Sequence, residues 1–103
     1  MIEIHNEICK RTSIVNSKVV KEFLQRKGLN LKTRKREVFN YKCVFSKILR
    51  DRGKTLIDIS KTVDFCDHST TIHRLKMYDI LTKNRDEQFL KNKREVENYI
   101  ILN

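Results

Sequence analysis

The sequence predicts an all-α protein of one domain, and three observations support this. The chain contains no proline and only two glycines, Gly28 and Gly53, so it has almost no helix breakers. Apolar residues recur at three- and four-residue steps, which is the spacing of one helix face. At 103 residues the chain has room for one domain with a modest core, so we expect a single domain over residues 1–103.

The first two helices are predicted on either side of residue 16. Isoleucines four residues apart indicate a short helix over residues 2–11, within an additional N-terminal segment, residues 1–16. Ser17 is the expected N-cap of the second helix, and Gly28 is placed to end it. The apolar stripe of that helix comprises Val19, Val20, Phe23 and Leu24.

A basic loop, residues 29–36, precedes a long third helix over residues 37–52 that Gly53 ends. The buried face of this helix is predicted to hold Val38, Tyr41, Val44, Phe45, Ile48 and Leu49. Thr55 followed by Asp58 has the spacing of a capping box and predicts the start of a short fourth helix. Its inward-facing residues are predicted to be Leu56, Ile59 and Val63.

A turn at residues 64–66 separates the fourth helix from a fifth over residues 67–82. The fifth helix is predicted to pack through Ile72, Leu75, Tyr78 and Leu81 or Thr82. Asp86 and Glu87 suit the positive end of a sixth helix, whose core residues are Phe89, Val96, Tyr99 and Ile100. The fourth and fifth helices, joined by a tight turn, have the pattern of a helix-turn-helix.

The charge of the chain indicates a polyanionic partner. The net charge is +10, and nearly all of the excess lies in residues 1–52, where 14 basic residues face 5 acidic ones. The densest stretch, residues 26–54, holds 11 basic residues and is the expected phosphate contact. The alternative is a solvated helix face without a ligand. No signal peptide or membrane span is evident, so we expect a cytoplasmic nucleic-acid binder that does not associate with membranes.

The side chains that suit base recognition are Asp67, His68, Ser69 and Thr70 in the first turn of the fifth helix. A helix-turn-helix protein reads the major groove with donors and acceptors at this end of its second helix. Asp67 can accept from cytosine, and the methyl group of Thr70 can contact that of thymine. The alternative is that Asp67 is only a cap and that Ser69 and Thr70 are surface residues.

Other functions have weaker support. A catalytic site with Cys66 as nucleophile and His68 or His73 as base lacks a group to orient the base. A zinc site formed by the same three residues lacks a fourth ligand. We therefore expect no enzymatic activity, no bound metal and no cofactor. An RNA binder would need aromatic residues among its basic ones for base stacking. A protein-interaction module could dock on a host replication initiator through Met77, Tyr78 and Ile80, although their spacing favours the core. The odd count of three cysteines, without a Cys-x-x-Cys pair, favours a reducing compartment.

The run Asp67-His68-Ser69-Thr70-Thr71-Ile72-His73 resembles the signature Asp-His-(Ser/Thr)-Thr-(aliphatic)-(aliphatic)-His. This signature belongs to the fourth, C-terminal domain of the bacterial replication initiator DnaA. The resemblance covers roughly residues 18–100: residues 34–38 are similar to the family's basic loop, 56–59 to its short helix and 82–100 to its last helix.

The resemblance implies a compact six-helix bundle with a Trp-repressor-like helix-turn-helix that binds duplex sites similar to DnaA boxes in replication initiation or its regulation. The implied base contacts are Asp67, His68, Ser69 and Thr70. The implied contacts to the DNA backbone or the minor groove are Arg34, Lys35, Arg36 and Lys42. Lys54 and Lys61 are generic candidates for phosphate contacts, and His73 is a further candidate on this side. Arg36 and Lys42 are alternatives for the minor-groove cation.

The chain also departs from the family. Asp64-Phe65-Cys66 stands where the family has Gly-Gly-Arg, and Thr71 occupies the first aliphatic position. No phosphate-binding Gly-x-x-x-x-Gly-Lys-(Ser/Thr) is found, so the chain alone is not expected to hydrolyse ATP. A self-standing copy of such a module resembles a phage or mobile-element protein that competes for initiator sites, with host replication proteins as possible partners.

Overall fold

A computed structural model of the chain describes residues 15–30, 32, 35–64 and 66–102, with side chains up to Ile100. These residues form an all-helical structure with a radius of gyration of 12.6 Å, the size of a compact domain of this length. The helices are α1 (Ser17–Arg26), α2 (Arg36–Asp51), α3 (Leu56–Val63), α4 (His68–Lys83) and α5 (Glu87–Leu102). The helix predicted over residues 2–11 lies outside the described residues. None of the described helices is both long and apolar enough to cross a membrane.

The start of α1 differs from the prediction by one residue. Asn16, not Ser17, is the N-cap: its Oδ1 accepts a hydrogen bond from the Val19 backbone N–H at 3.0 Å. Asn16 has extended dihedral angles and Ser17 already belongs to the helix, so only the Asn16 side chain can reach back over the first turn. Gly28 ends the helix as predicted, with a φ of 72°.

The connection between α2 and α3 confirms two predicted boundaries. Gly53 has a φ of 84°, and the following Lys54 N–H donates to the Leu49 carbonyl at 3.2 Å, the bond that closes a helix of this kind. Thr55 caps α3 because its Oγ1 accepts from the Asp58 N–H at 3.1 Å. The sequence therefore predicted both ends of this short connection.

The turn between α4 and α5 repeats this geometry without a glycine. The Asp86 N–H donates to the Leu81 carbonyl at 3.1 Å, and the residue with positive φ is Arg85, at 53°. This conformation costs an L-residue with a β-carbon about 1 kcal/mol relative to glycine. Asp86 then caps α5 by accepting from the Phe89 N–H at 2.9 Å.

Helix α2 is the centre of the molecule and packs against α3, α4 and α5. Phe23 of α1 contacts three aromatic rings edge-on, with centroid distances of 4.8 Å to Tyr41, 5.6 Å to Phe45 and 5.1 Å to Tyr99. The six apolar residues predicted for the face of α2 are all buried. In α3, Ile59 and Val63 are buried as predicted.

Helix α4 packs differently from the prediction. Leu81 is buried, but the predicted packing residues Ile72, Leu75 and Tyr78 are only half-buried. The other buried positions of α4 are the polar Thr71 and the charged Arg74. The apolar pattern missed these two because their burial depends on partners outside the helix.

A polar network fastens α5 to α2 and α1. Asn40 donates to Asn92 Oδ1 at 2.9 Å, while Tyr41 and Asn92 donate to the two carboxylate oxygens of Glu95 at 3.1 Å each. Lys27 forms an ion pair with the same carboxylate. Burial raises the pKa of Glu95, but the hydrogen bonds from Lys27, Asn92 and Tyr41 outweigh it and hold that pKa below its usual range.

Candidate functional site

The connection from α3 to α4 is tight. Asp64 follows the last residue of α3, and both its N–H and that of Cys66 point back to the Ser60 carbonyl, at 3.4 and 3.2 Å. Asp67 is extended, with φ −70° and ψ 150°, and α4 begins at His68. The chain therefore changes direction between Asp64 and Asp67.

The first turn of α4 exposes polar side chains next to one another. Asp67, His68 and Ser69 are exposed, and Thr70 is half-buried. Asp67 accepts a hydrogen bond from Ser69 Oγ at 2.9 Å, and its other carboxylate oxygen lies 3.1 Å from His68 Nδ1. The Ser69 hydrogen bond lowers the pKa of Asp67, so the carboxylate is charged at neutral pH.

Asp67 occupies the N-cap position without acting as a side-chain cap. Its backbone carbonyl accepts from the Thr70 N–H at 3.0 Å, but its carboxylate makes no capping hydrogen bond. The carboxylate binds the two neighbouring side chains instead, and 69% of the Asp67 side chain is exposed. The backbone N–H groups of His68 and Ser69 also lower the pKa of Asp67, so this residue contributes to the start of the helix as well as presenting an exposed carboxylate.

Below this surface, a neutral hydrogen-bond chain links α4 to α3. Thr71 is fully buried, with its Oγ1 2.6 Å from Ser60 Oγ. Ser60 donates to the Leu56 carbonyl at 2.8 Å, so the Thr71 hydroxyl is the donor to Ser60. Cys66 Sγ lies 3.7 Å from Thr71 Oγ1. Thr71 thus makes a buried polar contact between the two helices where the DnaA signature has an aliphatic residue.

A second link is ionic and joins α2, the turn and α4. Arg74 donates two hydrogen bonds to Asp64, at 3.0 and 2.8 Å, and Lys42 Nζ lies 3.0 Å from the same carboxylate. The side chains of Lys42, Asp64 and Arg74 are only 9%, 13% and 8% exposed. We call these three residues the inner ion cluster. Arg74 also donates to Cys66 Sγ at 3.4 Å.

The inner ion cluster holds Asp64 firmly in its charged form. Burial raises the pKa of this carboxyl group, but hydrogen bonds from Arg74, Cys66 and Lys42, together with the charge of Arg74, outweigh burial. The pKa of Asp64 therefore lies far below its usual range. Arg74 Nε has no hydrogen-bond partner among the described residues, so the guanidinium is held through its two terminal nitrogens.

Lys42 requires a correction of its predicted position. The sequence assigned it to the DNA backbone or the minor groove, but it is buried and its ammonium group faces Asp64. Position 42 lies on the face of α2 that packs against the rest of the molecule, and the Asp64 carboxylate makes that burial possible. Arg36 was the alternative cation; it is exposed, hydrogen-bonds Asn40 at 3.3 Å and lies 3.5 Å from Asp86.

The other predicted cations lie on several elements. Lys35 is exposed just before α2, while Lys54 and Lys61 are exposed and form no salt bridge with a described residue. Arg34 lies outside the described residues. His73 is exposed on α4, and its ring centroid lies 6.0 Å from that of Phe39.

The exposed face of α4 continues beyond its first turn. Ser69, His73 and Lys76 are spaced four and three residues apart and are all exposed, so they lie on one side of the helix. Lys76 is not among the residues that the sequence predicted to contact DNA. Helical spacing from Ser69 was the signal that could have identified it.

The two described cysteines are free thiols in different surroundings. Cys43 is buried in α2, and burial raises its pKa to about 12, whereas Cys66 is half-buried in the turn. Among the described residues, no group of three His, Cys, Asp or Glu side chains is placed to hold a metal ion.

The first turn of α4 presents hydrogen-bond donors and acceptors to solvent. Buried polar contacts of Thr71 and Arg74 hold the same helix against the rest of the molecule. The exposed groups are one carboxylate, one imidazole and one hydroxyl, all in consecutive residues. No protein-family model, curated protein or solved structure matches this chain.

Proposed function

We propose that this protein binds duplex DNA sequence-specifically, with α3 and α4 acting as a helix-turn-helix. The observation that carries the proposal is the first turn of α4. It exposes consecutive polar side chains, and buried contacts from Thr71 and Arg74 hold the next two turns of the helix. An exposed polar N-terminus on a fixed helix is what major-groove reading requires.

Each side chain of the first turn has a chemical role in this proposal. Asp67 accepts from the amino group of cytosine, and His68 and Ser69 offer a donor or an acceptor to other base edges. Thr70, half-buried, is shared between bases and phosphate. The positive end of the α4 dipole favours a phosphate oxygen near its first turn.

The basic residues supply the sequence-independent part of binding. Arg34, Lys35 and Arg36, which precede or begin α2, are the proposed contacts to the DNA backbone and the minor groove. Further proposed contacts to phosphate are Lys54, Lys61, His73 and Lys76. Lys42 is left out because its charge is used within the inner ion cluster. A net charge of +10 favours such contacts.

The proposed target is a short duplex similar to a DnaA box, and the proposed setting is replication initiation or its regulation in a bacterial cytosol, with host replication proteins as further partners. This part rests on the resemblance of residues 67–73 to the DnaA signature. The same resemblance supports a single domain with the six-helix, Trp-repressor-like architecture of that family.

Selection of bound sequences from random duplex DNA is the direct test. We expect enrichment of a site related to the DnaA box. We expect His68→Ala and Asp67→Ala each to lower the preference for that site over a scrambled duplex by about tenfold or more. Circular dichroism should show unchanged helicity, because both side chains are exposed. Equal affinity of the wild-type protein for all duplexes would leave only a non-specific nucleic-acid binder.

A protein-interaction role through Met77, Tyr78 and Ile80 has less support. Met77 and Tyr78 pack against the core, and only Ile80 is exposed, at 48%. A single exposed aliphatic residue is common on protein surfaces. No docking function is therefore proposed for this part of α4.

A further inference from the structure

We propose that the inner ion cluster of Lys42, Asp64 and Arg74 positions the first turn of α4 and thereby sets how sharply the protein discriminates between duplexes. These residues do not contact DNA in this proposal; they are positioning residues for Asp67, His68 and Ser69. The inference rests on the proposed function.

The residues of the inner ion cluster lie on both sides of the first turn of α4 along the chain. Asp64 lies three residues before Asp67, and Arg74 lies seven residues after it, about two helical turns further on. The two hydrogen bonds between Asp64 and Arg74 therefore close a loop around the first turn of α4. Lys42 ties this loop to α2, the central helix.

The two hydrogen bonds between Arg74 and Asp64 fix the orientation of these side chains. A guanidinium and a carboxylate joined by two parallel hydrogen bonds have a fixed relative orientation, which one ion contact does not provide. Both terminal guanidinium nitrogens of Arg74 are engaged, Nη1 with Asp64 and Cys66, and Nη2 with Asp64. The direction in which α4 leaves the turn is thereby restricted.

Hydroxyl groups next to the inner ion cluster also hold the start of α4. Thr71 donates to Ser60, one turn into α4, and so ties the start of this helix to α3. The first turn is thus held by α2 through ions and by α3 through hydroxyl groups. Base recognition depends on placing donors and acceptors to within a fraction of an ångström, so loosening either contact should reduce discrimination.

The inner ion cluster also has to be weighed for its contribution to the stability of the fold. A buried ion pair often stabilises a fold no more than apolar residues of the same size would, because desolvation offsets the attraction. Stability is therefore a weak explanation for three charged side chains that are each at least 87% buried. The position of these charged side chains below the first turn of α4 accounts for them as groups that orient that turn.

The test compares Asp64→Asn, Arg74→Lys and Thr71→Val with the wild-type protein. Asp64→Asn removes the charge, Arg74→Lys keeps the charge but removes the paired hydrogen bonds, and Thr71→Val removes only a hydroxyl group. Glu95→Gln is the matched control, because it weakens a part-buried ionic network in which Glu95 binds Lys27, Tyr41 and Asn92, none of which belongs to α4. The measured quantities are the affinities for the selected duplex and for its scrambled version, the salt dependence of binding and the melting temperature.

We expect each of the three variants to lower the ratio of the two affinities by about tenfold, the size of one lost base contact. Binding to the scrambled duplex and the salt slope should stay unchanged, since no phosphate contact is removed. Glu95→Gln should lower the melting temperature and leave the ratio intact. If Asp64→Asn does not fold, Arg74→Lys and Thr71→Val decide the result.

Full discrimination in all folded variants would overturn the inference and leave the proposed function standing. The inference would also be overturned if Glu95→Gln lowered the ratio as much as the others, because general destabilisation would then explain the loss. A wild-type protein that does not discriminate would remove the proposed function and this inference together.

Discussion

Asp64 and Asp67 lie three residues apart at the two ends of the turn before α4, in opposite surroundings. The Asp64 side chain is 13% exposed and receives hydrogen bonds or ion contacts from Arg74 and Lys42. The Asp67 side chain is 69% exposed, and its side-chain partners among the described residues are His68 and Ser69. The pKa of both is lowered, Asp64 against the opposing effect of burial and Asp67 mainly through Ser69.

The difference shows how one short turn can combine rigidity with access to a ligand. Contacts made by Asp64 are shielded from water and salt, so they hold the backbone in place. Asp67 remains hydrated and can exchange its contacts for those of a ligand. Each aspartate would serve poorly in the other's position, since a buried acceptor cannot reach a base and an exposed ion pair adds little stability.

The largest expected effect is on stability. Asp64→Asn should lower the free energy of unfolding by about 3–5 kcal/mol, because it leaves two buried cations without a compensating charge. Asp67→Asn should leave that free energy nearly unchanged, because its side chain is exposed. Urea denaturation of both variants measures the contrast. Equal losses in the two variants would contradict the division between an inner and an outer aspartate.

Acid should remove the contribution of Asp64. Its pKa in the folded protein is lower than in the unfolded chain, where it is about 3.9, so the cluster stabilises fully above that value. The stabilisation is lost as the pH falls towards the folded-state pKa. Urea midpoints measured from about pH 7 down to about pH 3 should therefore decline more steeply for the wild-type protein than for Asp64→Asn. Parallel curves for these two proteins would show that Asp64 is not the group responsible.

Buried Lys42 and exposed Lys61 should differ in how their loss changes the salt dependence of DNA binding. Lys61→Ala should lower the slope of the logarithm of affinity against the logarithm of salt concentration by about one unit, because one phosphate contact is lost. Lys42→Met should reduce stability and leave the slope unchanged, since its ammonium group is paired with Asp64. Titrations at several salt concentrations test both. A reduced slope for Lys42→Met would return this residue to the DNA-contacting set.

The smallest expected effect is a gain in the free energy of unfolding. This gain makes it easier to compare the Asp64→Asn and Asp67→Asn variants. Arg85→Gly should stabilise the protein by about 1 kcal/mol, because Arg85 has a φ of 53° that glycine adopts without strain. Thermal unfolding measures the gain, with Lys83→Gly in the last turn of α4 as a control that should destabilise. Within this background, Asp64→Asn retains more folded protein for the comparison with Asp67→Asn. A loss of stability in Arg85→Gly would mean that its side chain makes a compensating contact.

Local patterns predicted the helices well because their causes are local. Apolar spacing identified the buried face of α2, and Gly28, Gly53 and Thr55 marked helix ends through backbone preferences that depend on neighbours in sequence. The N-cap of α1 was misplaced because Asn16 and Ser17 are both good caps. Only the backbone angles of Asn16 distinguish them.

The interior of the candidate site was harder to predict, because its contacts join distant residues. Lys42 and Asp64 are 22 residues apart, and nothing in the sequence around either residue indicates that they meet. Lysine is usually exposed, so the basic stretch was interpreted as surface throughout. The outer residues Asp67, His68 and Ser69 were identifiable because their position at a helix start is a local property.

The network between α2 and α5 has a consequence for how these two helices align. A slide of α5 along α2 by one helical turn, about 5.4 Å, would change which residues of the two helices face each other. The hydrogen bonds from Asn40 to Asn92 and from Tyr41 to Glu95 are directional, and a slide would leave these buried groups without partners. These hydrogen bonds therefore select a single register of α5 against α2.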